Sequence, residues 1–247
     1  MTFEDYQFSK SDIIFYISNV IRNCKWKSFY KLFHRHVRRP WSRKILLTQS
    51  PSGYGLEVGC GCWSIAPATR TIFSDAYQEH AGSESLARVF FDTNQIPYEN
   101  NSFEFVVSEH VLEHIFQPIQ ALKEWKRVLK TNGKIFLFLP HSDRTFDQNR
   151  KKTTLEELKK RSNANPFNQK QEILHDWIVN VIQKGYADHY QGYTGNEMLQ
   201  KGLIHYNVWT PDCIVTLLKH LGLKILGSYD VVPDRKDSFL VICQKTE

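Results

Sequence analysis

The sequence predicts an α/β protein built on a mostly parallel sheet, with an antiparallel C-terminal strand, N-terminal helices and a helical insertion. Across residues 53–140, short apolar runs rich in β-branched and aromatic residues alternate with amphipathic helical runs, which is typical of parallel strands joined by helical crossovers. Several of these runs end in an acidic residue, and a glycine turn follows the first one. The pattern favours a ligand site at one edge of the sheet.

The composition is that of a single soluble domain with additions. The chain has 247 residues, of which 41% are hydrophobic and 23% charged, a balance typical of globular proteins. No apolar run is long enough to cross a bilayer, and the N-terminus lacks a secretory pattern. The five cysteines include no C-x-x-C pair. We therefore expect a cytoplasmic protein with reduced thiols.

Residues 1–50 are expected to form a basic region, helical over residues 11–44. Nine Lys or Arg residues and no acidic residue lie between positions 22 and 44, whereas the whole chain has a formal net charge of +6. Aromatic residues are interleaved with these cations. Such a segment suits RNA, an anionic membrane surface or a phosphate-bearing substrate. It equally suits a helix packed through its aromatic residues, with a solvated basic face.

The first predicted strand, Gly55–Val58, contains Glu57 and leads into Gly59 and Gly61. The carboxylate can accept hydrogen bonds from a nucleoside, and the glycines let a ligand approach the backbone. Tight turns also carry two glycines for steric reasons alone, so this motif needs support from other parts of the chain.

That support comes from the next three predicted strands, over residues 71–75, 87–92 and 103–110. Asp75 and Asp92 end the first two of these. The carboxyl ends of parallel strands share one edge of the sheet, so these acids should converge on one ligand, with Asp75 placed to bind a ribose. The alternative is that both are ordinary loop acids.

The remaining elements alternate in the same way. Pro118 begins a helix that Asn132 and Gly133 close, and residues 134–139 form a fifth strand. Residues 141–207 are polar and helix-prone, which predicts an insertion that covers the crevice as a substrate lid. After it we expect a helix from Pro211 to near Gly222 and two strands, 223–232 and 238–244.

Four ordered motifs together resemble the class I S-adenosylmethionine-dependent methyltransferases. They occupy residues 56–61, 96–103, 108–114 and 127–134. The resemblance is close over residues 53–140 and loose beyond them. It implies a Rossmann-like class I methyltransferase sheet within residues 51–247, an enzyme, and S-adenosylmethionine as the cofactor.

The resemblance also implies roles for particular residues. Glu57, Gly59 and Gly61 would form the first cofactor loop, Asp75 would bind the ribose hydroxyls, and Asp92 would face the adenine amino group. Glu109 and His110 would lie at the crevice, with Glu109 as the sixth cofactor-binding residue. The family loop usually has a third glycine, where this chain has Trp63. Its indole must either point away from the cofactor or alter the site.

Two rival motifs overlap this region. The glycine turn approximates a nicotinamide dinucleotide site, but Ser64 stands where glycine or alanine permits close helix packing. The segment from His110 through Glu113 to His114 matches the H-x-x-E-H pattern of zinc hydrolases. The sequence shows no obvious third ligand, so we predict no metal and a packing or capping role for His114.

Methyl transfer to a hydroxyl requires a group that removes a proton. His141 is the first candidate, because it follows the fifth strand at the expected crevice, and His110 is the second. Both also suit a polar lining role.

The loop after the fifth strand suggests substrate binding. Arg144 and Arg150 could hold a phosphate or a sugar carboxylate. Alternatively His141, Asp143 and Asp147 could hold a divalent ion, or the loop could be an internally paired polar linker.

The sequence therefore predicts an O-methyltransferase that acts on a saccharide or another polar small molecule with a hydroxyl. The loop from residue 141 to 147 resembles a stretch found in methyltransferases of bacterial surface-glycan pathways. One alternative is an RNA methyltransferase that uses the basic segment 22–44, and another is a non-catalytic module that binds the cofactor or a partner. The same segment suits peripheral membrane association of a cytoplasmic protein.

Overall fold

The computed structural model describes residues 39–67, 69–80, 83–161, 165–187, 190 and 192–247. Most of the predicted N-terminal helical region, residues 1–38, lies outside these described residues. In the described part of the chain, no helix is both long and apolar enough to cross a membrane.

A seven-stranded sheet forms the centre of the molecule. Its strands are β1 (Gly55–Val58), β2 (Thr71–Asp75), β5 (Val89–Phe90), β6 (Phe103–Glu109), β7 (Leu129–Pro140), β8 (Leu223–Tyr229) and β9 (Ser238–Lys245), and β3 (Glu79–His80) and β4 (Ser83–Glu84) form a separate hairpin. The order in the sheet is β5-β2-β1-β6-β7-β9-β8. β1, β2, β5, β6 and β7 pair in parallel, and β9 runs antiparallel to both neighbours. The predicted Rossmann-like class I methyltransferase sheet, with its antiparallel C-terminal strand, is confirmed.

Six α-helices accompany the sheet in the described residues. They are α1 (Pro40–Gln49), α2 (Pro118–Val128), α3 (Leu155–Arg161), α4 (Pro166–Trp177), α5 (Gly195–Gln200) and α6 (Pro211–His220). Short 3₁₀ turns occupy Leu112–His114 and Ser142–Arg144, and a π turn follows α4 at Ile178–Ile182. α2 and α6 begin at prolines, as predicted, because the first turn of a helix does not need a proline N–H.

Both faces of the sheet are buried because alternate side chains of each strand point to opposite sides. Along β7, Ile135 and Leu137 join the core under α2 and α6, whereas Phe136 and Phe138 join the core under α1. A third apolar cluster, centred on the fully buried Trp177, lies within the insertion. The insertion therefore has a core of its own.

Several strand boundaries differ from the prediction, including that of β8, which ends at Tyr229 instead of residue 232. β7 begins at Leu129 because residues 130–133 form an irregularity in its ladder with β6, where Phe103 pairs with Leu129 and Phe105 already pairs with Lys134. β6 ends before His110, whose φ of 53° lies in the left-handed region and breaks the strand. The third strand is confined to Val89–Phe90.

The crossover between β1 and β2 is unusual. The described residues of the segment from residue 62 to 70 form turns and bends instead of a helix. The glycine loop is therefore positioned by side-chain hydrogen bonds, among them that from the Gly61 N–H to Asp75.

Candidate active site

A cavity of about 810 Å³ opens at the carboxyl ends of the parallel strands. Sheet residues line one side, among them Glu57, Gly59, Gly61, Trp63, Asp75, Asp92, Glu109 and His110. Insertion residues line the other side, among them Lys170, Tyr190, Leu199 and Tyr206. The structure thus brings together all six predicted cofactor residues. The volume is within the range of roughly 300–1,000 Å³ that small-molecule sites occupy.

The glycine loop after β1 depends on both glycines, for different reasons. Gly59 has φ 69°, and a Cβ there would lie 2.4 Å from Val111 Cγ2. Gly61 has φ 56°, but a Cβ there would meet no atom within 4 Å. Gly59 is therefore required by a close contact and by backbone conformation, and Gly61 by conformation alone.

Asp75, at the end of β2, fastens this loop to the sheet. Its Oδ2 accepts hydrogen bonds from the Gly61 N–H at 2.9 Å and from the Ser85 hydroxyl at 3.0 Å. Its Oδ1 accepts from the N–H groups of Ala76 and Tyr77. These bonds take most of the acceptor positions of a carboxylate, so a ribose would share or displace them.

Glu57 lies beneath the loop and is 2% exposed. The Ser64 hydroxyl donates to its Oε2. Burial raises the pKa of this carboxyl group to about 8, against the opposing effect of the Ser64 hydrogen bond.

Glu109 ends β6 between two guanidinium groups. Arg39 Nη1 lies 2.5 Å and Arg235 Nη1 2.8 Å from its Oε1. Burial alone would raise the pKa of Glu109, but the two cations outweigh it and hold the pKa below its usual value. Both guanidinium groups also lie over the Trp63 ring, at 5.7 and 5.8 Å from its centroid. Trp63 is therefore part of the cavity wall, and the site differs here from the usual glycine loop.

Part of the basic stretch 22–44 is used inside this site. Arg39 and Arg43 are 4% and 2% exposed. At these two positions the cations are buried and do not belong to a solvated basic face, which was one of the alternatives that the sequence allowed. The rest of the stretch up to residue 38 lies outside the described residues.

His110 lines the cavity with both ring nitrogens engaged. Arg235 Nη2 donates to its Nδ1 at 3.0 Å, so the proton resides on Nε2, which lies 2.7 Å from the Ser238 hydroxyl. Burial and the neighbouring Arg235 cation lower its pKa well below the usual value. The imidazole is neutral.

His141 does not line the cavity. Its Nδ1 accepts from the Asp143 N–H at 3.2 Å and caps the turn Ser142–Arg144, and its Nε2 lies 3.4 Å from Asp230 Oδ1. Burial lowers its pKa. The sheet order explains the position, because β6 separates β7 from β1 and its glycine loop.

Arg144 and Arg150 also lie away from the cavity lining. Arg144 pairs with Asp230 at 3.0 Å, and the buried Arg150 pairs with Asp147 at 2.8 Å and with Asp176 at 2.7 Å. Both guanidinium groups already have carboxylate partners, which corresponds to the alternative of an internally paired polar loop. The structure therefore gives no geometric support for their predicted contact with substrate.

Residues 113, 114 and 205 form a polar cluster that the sequence did not indicate as a unit. Glu113 and His114 were recognised only within a zinc-hydrolase pattern, and His205 lies near the end of the insertion without any motif. Their contacts span about ninety positions, so no spacing rule could have joined them.

Comparison with known proteins agrees with this geometry. Residues 56–137 match the family model of the methyltransferase domain. One structural neighbour is a chain of the complex between the Haloferax volcanii Trm112 methyltransferase activator and a methyltransferase, with a TM-score of 0.54 and 12% identity over 90% of this chain and 96% of that chain. At this identity the likeness concerns the fold alone.

Two curated relatives each match part of the chain. An uncharacterized protein of Methanocaldococcus jannaschii is 32% identical over 91 residues, which cover 35% of this chain and 44% of that protein. Demethylmenaquinone methyltransferase of Staphylococcus epidermidis is 28% identical over 121 residues, which cover 42% and 49%. The chain thus spans less than half the length of these relatives.

The sheet order and the family match define a class I methyltransferase domain, the class whose methyl donor is S-adenosylmethionine. The family predicted from the sequence motifs is confirmed.

Proposed function

We propose that the protein transfers the methyl group of S-adenosylmethionine to a hydroxyl of a saccharide or another polar small molecule. The observation that carries this proposal is a single cavity shared by the glycine loop and the insertion. One side offers the residues of a cofactor site, and the other offers a cation and aromatic hydroxyls from the insertion. The insertion 141–207 would then act as the acceptor lid.

On the cofactor side, the glycine loop would contact the ligand through its backbone, with Asp75 at the ribose. Asp92 would face the adenine amino group. It is exposed at the cavity, and its hydrogen bonds from Asn94 both use Oδ1. These bonds orient the carboxylate, so its Oδ2 can accept a hydrogen bond from an exocyclic amine.

On the acceptor side, Lys170, Tyr190 and Tyr206 favour a polar ligand with flat apolar faces. Burial raises the pKa of Tyr206 to about 12, so its hydroxyl stays protonated and can donate to an acceptor oxygen. Aromatic rings also offer an apolar surface beside that polar group.

The cofactor, when bound, supplies an electrophilic methyl group, and this chain's residues align the acceptor with it. The acceptor hydroxyl must lose its proton. His110 is the predicted histidine that lines the cavity, and its Nδ1 could accept a proton only after Arg235 gave up the hydrogen bond that it donates there. We propose His110 as the residue that takes this proton.

Calorimetry with S-adenosylmethionine tests the cofactor site. We expect Asp92→Ala to weaken cofactor binding about tenfold, as the loss of one hydrogen bond at an amine predicts. Arg144→Ala, outside the cavity, is the matched control and should bind as the wild type does. Unchanged affinity in Asp92→Ala would remove the adenine assignment.

A second experiment tests the acceptor class. The protein is incubated with methyl-labelled cofactor and separated pools of saccharides, other small molecules, demethylmenaquinone and RNA. A labelled product in the saccharide or small-molecule pool supports the proposal, and His110→Gln should then lower kcat at unchanged cofactor affinity. A product confined to RNA or demethylmenaquinone, or cofactor binding with no product in any pool, would overturn it.

A further inference from the structure

Glu113, His114 and His205 bring one carboxylate and two imidazoles together beside the cavity. One potential ligand atom from each lies within 4.8 Å of the other two. Glu113 and His114 belong to the turn Leu112–His114 that follows β6, and His205 comes from the end of the insertion. His114 also lines the cavity. The cluster therefore joins the sheet edge to the insertion at the site itself.

The carboxylate of Glu113 is unusual for a buried group because its oxygens lack hydrogen bonds within the described part of the chain. It is fully buried, and among the described residues neither of its oxygens has a hydrogen-bond partner. The nearest imidazole atoms are His110 Nδ1 at 3.7 Å and His114 Nε2 at 3.8 Å. A buried carboxyl group that is ionised and lacks hydrogen bonds is costly, and either a proton or a nearby cation removes that cost.

Both histidines of the cluster are oriented by their Nδ1 atoms. His205 Nδ1 lies 2.6 Å from Asp147 Oδ2, and His114 Nδ1 lies 3.0 Å from the carbonyl oxygen of Ile204. A carboxylate and a carbonyl oxygen can only accept hydrogen bonds, so in each ring Nδ1 carries the proton and Nε2 carries the lone pair. This is the arrangement of histidines that bind metals in proteins, in which the second nitrogen donates to a carboxylate or carbonyl.

Further contacts hold the cluster in place. Arg150 pairs with Asp147 at 2.8 Å and so fixes the carboxylate behind His205. The backbone N–H groups of Tyr206 and Asn207 both donate to the carbonyl oxygen of Glu113, at 2.7 and 3.1 Å. The chain after His205 is thereby fastened to the turn that carries the other two residues, so the three side chains lie close together before any ligand binds.

We propose that Glu113, His114 and His205 bind a divalent transition-metal ion of the zinc type at the wall of the cavity. Two imidazoles and one carboxylate are a donor set that such ions prefer, with coordination positions left open for a further ligand. Bonds of about 2.0–2.1 Å would place the ligand atoms roughly 3.4 Å apart, so separations of up to 4.8 Å must shorten by as much as about 1.4 Å.

This site differs from the H-x-x-E-H interpretation of the sequence. In that pattern the histidine pair is His110 and His114, but His110 Nδ1 accepts a hydrogen bond from Arg235. His205 takes its place as the second imidazole and supplies the ligand that the sequence alone did not reveal. The sequence-based prediction of no metal is therefore revised by this proposal.

An ion at this position would polarise an acceptor hydroxyl in the cavity and ease the loss of its proton. That role rests on the proposed function. The binding of the ion does not, because it follows from the donor set alone.

The test uses the full chain, treated with a chelator and then titrated with Co²⁺ and Zn²⁺. We expect about one Co²⁺ per chain with the visible absorption of a low-symmetry, four- or five-coordinate site, and displacement of Co²⁺ by Zn²⁺. Glu113→Gln keeps the shape of the side chain and should lower the affinity at least tenfold, as should His205→Ala. Asp147→Asn should lower it about 10–100-fold by releasing the ring of His205.

His175→Ala is the matched control, because His175 is an exposed histidine on α4, and its variant should bind the ion as the wild type does. Equal binding by the wild type and Glu113→Gln, or no spectral change with Co²⁺, would overturn the proposal. Thermal unfolding of each variant after chelator treatment shows whether it folds. If His205→Ala does not fold, Glu113→Gln decides the outcome. Calorimetry with S-adenosylmethionine on the same samples separates this outcome from failure of the proposed function, since either ligand can bind without the other.

Discussion

Arg39 Nη1 lies 2.5 Å from the carboxylate of Glu109, so the residue before α1 is paired with the last residue of β6. Both side chains are nearly buried, at 5% and 7% exposure. The pair ties the end of the basic N-terminal segment to the wall of the cavity. It also explains why the pKa of Glu109 is lowered, although burial alone would raise it.

Removal of the Arg39 side chain should therefore lower the stability of the folded protein. We expect Arg39→Ala to lower the free energy of unfolding by about 3 kcal/mol, because one partner of a buried ion pair is left with less compensation. Urea denaturation measures the change. Lys151→Ala breaks an ion pair whose lysine is 80% exposed, and this control should lose less than about 1 kcal/mol. Equal losses in the two variants would contradict the importance of the buried pair.

Glu57 should make stability depend on pH. Its pKa is raised from 4.5 to about 8 in the folded protein, so the folded chain holds a proton that the unfolded chain has lost between these values. Stability must then fall as pH rises through this window, by up to about 1.4 kcal/mol per pH unit from this group.

The Glu57→Gln variant tests this linkage. The difference in unfolding free energy between the variant and the wild type should shift in favour of the variant by about 1–3 kcal/mol from pH 6 to pH 8. Glu99→Gln, on an exposed loop, should show no such shift. A constant difference across the two pH values would mean that Glu57 is ionised in the folded state.

The two glycines of the loop should respond differently to alanine. Gly61→Ala adds only the strain of a positive φ, about 1–2 kcal/mol. Gly59→Ala adds the same strain and a contact of 2.4 Å with Val111, so it should lower the melting temperature more. Differential scanning calorimetry gives the order of the two variants. Equal melting temperatures would show that Val111 moves aside freely, and the opposite order would contradict the prediction.

Trp63 should report on cofactor binding. Its indole lines the cavity and lies near the guanidinium groups of both Arg39 and Arg235, so a ligand in the cavity should change its fluorescence. We expect S-adenosylmethionine to alter the emission of the wild type and to leave that of Trp63→Phe largely unchanged, although calorimetry still detects binding by the variant. A full fluorescence change in Trp63→Phe would place the ligand elsewhere.

The sheet and the glycine-loop side of the site were predictable because they depend on local patterns. Strand alternation fixed β1, β2 and β6, and the acids at strand ends lie at one edge because parallel strands share their direction. Residues such as Glu57 and Asp75 were found in this way.

The other side of the site was not predictable, because its contacts join distant segments. Arg150 looks like a free cation in the sequence, yet it is buried against Asp147 and Asp176. His141 follows a strand end as expected, but the sheet order places that strand away from the glycine loop. His205 meets Glu113 only after the insertion has folded back, which no periodicity reveals.

Asn207 determines how the insertion can change during evolution. Its fully buried amide donates to the carbonyl oxygens of Leu112 and Ile115 and accepts from Arg161. The insertion and the turn after β6 are therefore one structural unit. A chimera that transplants residues 141–207 onto the sheet of another methyltransferase must also carry residues 112–115, and exchanges that ignore this boundary should yield proteins that do not accumulate in cells.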